Sequence, residues 1–300
     1  MSIVFGPINS RRFGFSLGID LSPIVKQCNF DCVYCELKQA KPIAKMDSIA
    51  CVEEIVKELN SFLAKKISFD VLTLTANGEP SLYPNLKELI IALRKLQLDK
   101  KILILSNGTA VLNEKQFNAL LDLDIVKFSL DSVIEKSFFR INKPLKEISL
   151  CLMIEKMIAF SKLFKGELII EILVVKGIND NEKEFQALNE ILQKINPIRV
   201  DISTIDRPPS YPVKGVSEEK LFDLSSFIKN IPVFIARRND KKQNMEFSED
   251  ELLKMLQLRA QSEFDVKALL SLNSQAILDN LIKKDLVKIY NLGGVKFYKV

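Results

Sequence analysis

Residues 28–35 read Cys-Asn-Phe-Asp-Cys-Val-Tyr-Cys and hold three of the chain's five cysteines, Cys28, Cys32 and Cys35, in a Cys-x3-Cys-x2-Cys run. Thiolates are soft donors suited to iron–sulfur clusters. Three on one short loop can hold three irons of a four-iron cluster. The other cysteines, Cys51 and Cys151, stand alone in the sequence. One iron would stay open to a small molecule, which points to chemistry rather than electron storage. A structural zinc site is the other reading. Such sites use four protein ligands, and the chain has no histidine. That absence also removes Ser-His-Asp and Cys-His schemes and any imidazole proton transfer. Chemistry falls to carboxylates, lysines, tyrosine, cysteine or a cofactor.

The elements that must position this loop read as alternating helices and strands. Ile19 and Leu21, with Ile24 and Val25, suggest a short first strand leading to the cysteines. Asp47 or Ser48 can cap a helix with Val52, Ile55, Val56, Leu59 and Leu63 at helical spacing. Strands are expected at 70–75, 101–106, 125–130, 168–175, 198–203 and 232–236. Helices are expected from Pro84 and over 113–121, 147–164, 181–195 and 217–229. The strands are short apolar runs, several without alternation, as in a sheet buried on both faces. Repeated βα units imply a parallel sheet. The fold class is α/β, a partial (β/α) barrel of about six units, with a doubly wound open sheet as the alternative.

In such a barrel the site gathers where strands end, and these ends are polar. The first carries Asn77-Gly78-Glu79-Pro80, the next Ser106-Asn107-Gly108, and the next Ser129-Leu130-Asp131. Glu171 lies within the strand at 168–175, and Asp206-Arg207 follow the one at 198–203. Gly78 lets backbone approach a ligand closely, Glu79 can accept from an ammonium group, and Asp131 from sugar hydroxyls. Singly, each cluster reads equally as a turn. At successive strand ends, behind a cysteine triplet, they read as one site. Asp201, Asp206 and Arg207 are candidates for its substrate end. Arg140, Asn142 and Lys143 read as a mobile cover or a solvated loop. Arg11 and Arg12 read as an anion contact or a solvated pair. Cys51 and Cys151 read as small core residues.

Residues 237–245 form a charged linker between two expected domains, 1–240 and 245–300. Ser248 and Glu251 form a capping box. Helices near 264–271 and 274–284 follow, then two apolar runs around Asn291-Leu292-Gly293-Gly294. Three helices and a hairpin suggest a small winged-helix-like domain. Its third helix is only weakly basic, which suits a protein-binding or substrate-presenting module as well as DNA. Net charge is +5, spread evenly, so no region reads as a strong polyanion binder. Lack of a membrane-length apolar run, lack of a secretory signal and clustered reduced cysteines suggest a cytoplasmic protein.

With these features together, residues 15–236 resemble the radical S-adenosylmethionine (radical SAM) superfamily. The cysteine triplet with Tyr34 before its third member matches, and Asn77-Gly78-Glu79-Pro80 looks like the family's Gly-Glu-Pro segment. The resemblance implies a [4Fe-4S] cluster on Cys28, Cys32 and Cys35, with SAM on the open iron. Glu79 and the Asn77-Gly78 turn would meet the SAM amino group. Asn107, Ser129, Asp131 and Glu171 would lie along the methionine and ribose portions, and Tyr34 near the adenine. The reduced cluster would cleave SAM to a 5′-deoxyadenosyl radical that takes a hydrogen atom from the substrate. An electron donor such as flavodoxin or ferredoxin is implied. Gly6-Pro7, Ser10-Arg11-Arg12 and Asp206-Arg207-Pro208-Pro209 look like a group related to wyosine (tRNA imidazoguanosine) synthases. Those synthases carry further cysteines upstream, and residues 1–27 have none. The substrate is therefore RNA, protein or a small metabolite. The rival is an iron–sulfur redox sensor whose tail binds nucleic acid.

Overall fold

The computed structural model describes residues 3–10, 12–235, 244–292 and 295–300. Eight strands form one sheet in strict chain order: β1 (Val4–Ser10), β2 (Gly14–Asp20), β3 (Val71–Thr75), β4 (Lys101–Ser106), β5 (Ile125–Ser129), β6 (Glu167–Val174), β7 (Arg199–Thr204) and β8 (Val233–Ile235). β1 pairs antiparallel with β2, and every later neighbour is parallel. Sequential order without reversal excludes the doubly wound alternative, whose strand order turns back at a switch point. Among the described residues β1 and β8 do not pair, so the barrel is partial.

Helices α1 (Val52–Leu63), α2 (Leu86–Lys95), α3 (Glu114–Leu120), α4 (Glu135–Asn142), α5 (Leu150–Leu163), α6 (Glu182–Ile195) and α7 (Glu218–Ser225) link the strands. α2 shows the logic: Leu86, Leu89, Ile90 and Leu93 form its buried stripe. Each such side chain contributes about 1.5–3 kcal/mol when fully buried. The outward residues of the strands, such as Leu72, Ile104, Val126, Ile170 and Ile202, join these helices in one core.

The turn between β1 and β2 lies across the starts of the parallel strands. Phe13 packs among Val71, Leu103, Ile125 and Ile169. Arg12 lies above them, Nη2 2.7 Å from Glu171 and Nε 3.1 Å from Asp201. Lys127 pairs with the same two carboxylates at 2.8 and 3.3 Å, and Arg199 with Asp201 at 2.7 Å. Arg12 is thus neither solvated nor open to an outside anion. Its charge is spent on carboxylates of distant strands.

The remaining elements are α8 (Glu249–Leu258), β9 (Gln261–Ser262), α9 (Glu263–Leu269), α10 (Leu272–Lys283), β10 (Lys288–Leu292) and β11 (Val295–Lys299). The last strands form a sheet in the order β10-β11-β9. Phe247, Leu252, Met255 and Leu256 pack with Ile8 of β1, and Lys254 makes a buried ion pair with Asp20 at the end of β2. Residues 237–243 of the expected linker, the Gly293-Gly294 turn and Arg11 lie outside the described residues. No described helix is long and apolar enough to cross a membrane.

Four sequence expectations need correction. The first strand pair begins at Val4, while Ile24 and Val25 lie past it, 61% and 48% exposed. Residues 135–142 form α4, not a loop. Cys151 is exposed because α5 buries Leu150, Met153, Met157 and Phe160, a face that position 151 misses by one helical step. Cys51 is half-buried at the N-cap of α1, its thiol facing the backbone of Glu54 rather than the core.

Candidate cofactor site

The cysteine loop is fixed at both ends by backbone. Gln27 N donates to Asn77 O at 2.8 Å, and Glu79 N donates to Gln27 O at 2.9 Å. This close pairing explains Gly78. Its φ is +143°, and a Cβ there would lie 1.9 Å from Gln27 O. The close approach that glycine permits is thus made by the chain's own backbone. The Gln27 side chain donates to Ser22 Oγ and Ser48 O at 2.6 Å and accepts from Asp47 N and Ser48 N. Asp20 joins the same corner, accepting from Ser22 N and Asn77 N at 3.1 and 3.0 Å.

The three thiols are half-buried and free. Burial pushes all three upward in pKa. The neighbouring thiols add to the rise at Cys32, and Lys26 opposes it at Cys35. Among the described residues no three Cys, Asp or Glu side chains converge as ligands of a single ion. Three thiols on one short loop fit a donor set in which each binds a different iron. Positive iron would add to the charge that Lys26 already brings to Cys28 and Cys35.

Glu79 is buried at the end of β3, accepting from Ser81 N at 2.9 Å and Asn107 N at 2.7 Å. Burial raises its pKa and these hydrogen bonds restrain the rise. Asn107 also donates to Asn29 Oδ1 at 2.6 Å, linking the end of β4 to the cysteine loop. Asp131 is the most engaged group. It accepts from Tyr34 Oη and Asn142 Nδ2, both at 2.7 Å, and from Leu173 N at 2.9 Å. Its pKa is pushed up to about 6 by burial, against those hydrogen bonds. Its Oδ2 holds Tyr34 and α4 and its Oδ1 holds the backbone of β6, so both oxygens already serve the protein's own groups. Ser129 stands in register with Glu171, whose carboxylate faces Arg12 and Lys127.

Asp206 and Arg207, expected at the substrate end, turn elsewhere. Asp206 is exposed. Arg207 is buried, donating to Ala260 O at 2.9 Å and lying 3.8 Å from Glu36. It ties the segment before β9 to the cysteine loop. Glu36 accepts from Ala260 N at 3.2 Å, and Lys299 donates to the Glu36 carbonyl. Ser210 N reaches Cys35 O at 2.8 Å, and Tyr211 donates to Asp31.

Asn142 is the residue the sequence placed least well. It is buried, and its amide also reaches Cys32 Sγ at 3.6 Å. The available signal was Phe138 and Ile141, a short apolar helical face just before it.

The profile of the radical SAM superfamily matches residues 22–188. A UPF0026 protein of Helicobacter pylori strain J99 is 41% identical over 302 residues, covering 99% of this chain and 97% of its own length. A GTP 3′,8-cyclase of Chlorobaculum tepidum is 25% identical over 173 residues, 57% of this chain and 49% of the cyclase. Among solved structures, a radical SAM methyltransferase from Sphaerobacter thermophilus aligns with a TM-score of 0.56 at 13% identity, covering 73% of this chain and 66% of that one. Archaeal TYW1 aligns at 0.50 and 16% identity, covering 82% and 79%. These two alignments speak to the fold. The cysteine loop, the partial barrel and the profile match agree: the chain belongs to the radical SAM superfamily, whose members bind a [4Fe-4S] cluster and S-adenosylmethionine.

Proposed function

We propose that this enzyme abstracts a hydrogen atom from an RNA base, presented to the barrel mouth by residues 245–300 acting as a winged-helix-like domain. The observation that carries the reading is the hairpin of β10 and β11. Tyr290, 42% exposed, shares a face of this hairpin with Lys288, while Lys296 lies opposite Asn291 and Lys283 ends α10, all three lysines exposed. A lysine beside an open aromatic ring suits single-stranded RNA, whose bases stack on such rings. Lys299 of the same hairpin contacts Glu36, beside Cys35, so a base held there would lie near the cofactor. The likeness of Gly6-Pro7 and Asp206-Arg207-Pro208-Pro209 to wyosine-type synthases supports an RNA substrate.

In this reading Cys28, Cys32 and Cys35 hold the cluster, which with SAM supplies the 5′-deoxyadenosyl radical. Glu79 and Asn107 orient the amino-acid portion of SAM. Tyr34, fixed by Asp131, walls the nucleoside portion. Glu171, with Ser129 beside it, lines the lumen below, where Arg12 and Lys127 keep its charge balanced.

The test uses anaerobically reconstituted protein with SAM and a strong reductant, with and without bulk tRNA. The expected result is 5′-deoxyadenosine that rises when tRNA is added, a mass change on one base, and neither with Cys32→Ala. Turnover indifferent to RNA but stimulated by peptide would overturn the substrate assignment and leave the cofactor assignment standing.

A further inference from the structure

We propose that Asn142 is a positioning residue that sets the reduction potential of the cluster, its amide donating to the sulfur of Cys32; this rests on the cofactor reading above. The three sulfurs are not served alike. Cys28 Sγ accepts from Phe30 N at 3.4 Å, and the backbone N–H of Leu37 favours the Cys35 thiolate. In both cases the donor stands two residues further along, so the loop supplies it from its own backbone. Among the described residues Cys32 Sγ has no backbone donor. It accepts instead from Asn142 Nδ2 at 3.6 Å, within reach of the large sulfur atom. This donor comes from the end of α4, far along the chain.

The fold fixes the amide from three sides. The last carbonyls of a helix lack partners within it. Here Ile141 O accepts from Val33 N at 2.8 Å and Asn142 O from Asp31 N at 3.1 Å. Asp31 and Val33 flank Cys32, so the end of α4 is held in register with that one cysteine. Asp131 Oδ2 takes a hydrogen of the same amide at 2.7 Å. Asp131 is fixed in turn by Leu173 N on its Oδ1 at 2.9 Å and by Asn179 Nδ2 on its carbonyl at 2.7 Å. The Tyr34 hydroxyl also lies by Cys32, but it gives its one hydrogen to Asp131 at 2.7 Å.

Asn142 Oδ1 is buried and has no partner among the described residues. A buried acceptor left unpaired costs about 1–3 kcal/mol. A side chain that only filled space would carry no such cost. What the amide brings is two N–H donors between a carboxylate and a sulfur that turns anionic when it binds iron. An electron added to the cluster makes its sulfurs more negative. An N–H aimed at one of them therefore favours the reduced form and raises the potential. The backbone donors at Cys28 and Cys35 survive a change of side chain. Asn142 is the donor that a single substitution removes.

The experiment titrates the reconstituted full-length protein, without SAM, with dithionite and mediator dyes. The electron paramagnetic resonance signal of the reduced cluster reports the midpoint; dithionite loses the electron that the cluster gains. Asn142→Leu lowers the ratio of reduced to oxidised cluster about tenfold at a given poise, a midpoint about 59 mV lower for one electron. Asn142→Met, a second apolar replacement, shifts it the same way. Ser137→Ala is the control. It frees α4 from Glu184 without touching a sulfur, and its midpoint stays at the wild-type value. Asn142 variants with the wild-type midpoint overturn the role and leave the cofactor reading standing. A Ser137→Ala shift as large as theirs also overturns it, since the effect then belongs to the placement of α4. So does loss of the cluster from both Asn142 variants, which makes the residue one of assembly. A wild type with no reducible four-iron cluster overturns the cofactor reading, and the role of Asn142 with it.

Discussion

Two lysine-bearing surfaces flank the cysteine loop, and they differ in what stands between the lysines. On the hairpin of β10 and β11, Lys288 is followed by Ile289 and Tyr290, which are 46% and 42% exposed, and Lys296 lies opposite Asn291 on the facing strand. On the outer loop face, Lys38, Lys41 and Lys45 are separated by Gln39, Ala40, Pro42, Ile43 and Ala44. Both carry the same sign of charge. The first offers the exposed ring of Tyr290; on the second the half-buried ring of Tyr211 is covered by Lys143 at 4.0 Å. The difference teaches that net charge, +5 here, is a poor guide to partners. The side chains around each charge decide whether it steers, stacks or merely solvates.

The strongest way to break this comparison is to loosen the hairpin from the barrel. Lys254→Met leaves Asp20 buried and unpaired, and the loss of one partner of such a pair costs about 3–5 kcal/mol. The expected result is a lower urea midpoint, with RNA-stimulated turnover falling further than turnover without RNA. Equal losses would mean the hairpin does nothing specific for RNA. Next, Tyr290→Ala removes the ring and should weaken RNA binding by about 1–3 kcal/mol, roughly 5- to 150-fold, by filter binding. RNA affinity that survives this change would reduce the hairpin to a purely electrostatic surface.

A third test concerns the support both surfaces share. Asp131 has a folded pKa of about 6, above the unfolded value near 3.9. The folded state therefore holds that proton more tightly. Its contribution to stability is full below about pH 4 and is lost as pH rises through about 6. The cluster-free wild type should lose up to about 3 kcal/mol relative to Asp131→Asn across that window. Urea midpoints at each pH check this, and parallel curves for the two proteins would refute it.

What was legible in the sequence was what covalent spacing determines. The triplet of Cys28, Cys32 and Cys35 needs only a loop, and Gly78-Glu79 needs only a strand end. The strict βα alternation made the sheet readable, because each strand's neighbour is the next strand in the chain. Contacts between distant segments were not legible. Arg12 looked solvated because Glu171 and Asp201 lie on the far strands β6 and β7. Arg207 looked like a substrate contact because Ala260 and Glu36 come from opposite sides of it in the chain. Asn142 was hidden for a local reason. The Lys143-Pro144 step after it signals a loop, and the helix before it is only eight residues long.

The turn bearing Arg12 and Phe13 has a further consequence for traffic. It fills the end of the barrel where β3, β4, β5 and β6 begin, so a substrate would meet the polar strand ends from the other side. In the RNA reading proposed above, a base still stacked within a helix could not offer its edge to those strand ends, and the reactive nucleotide would have to be extruded first.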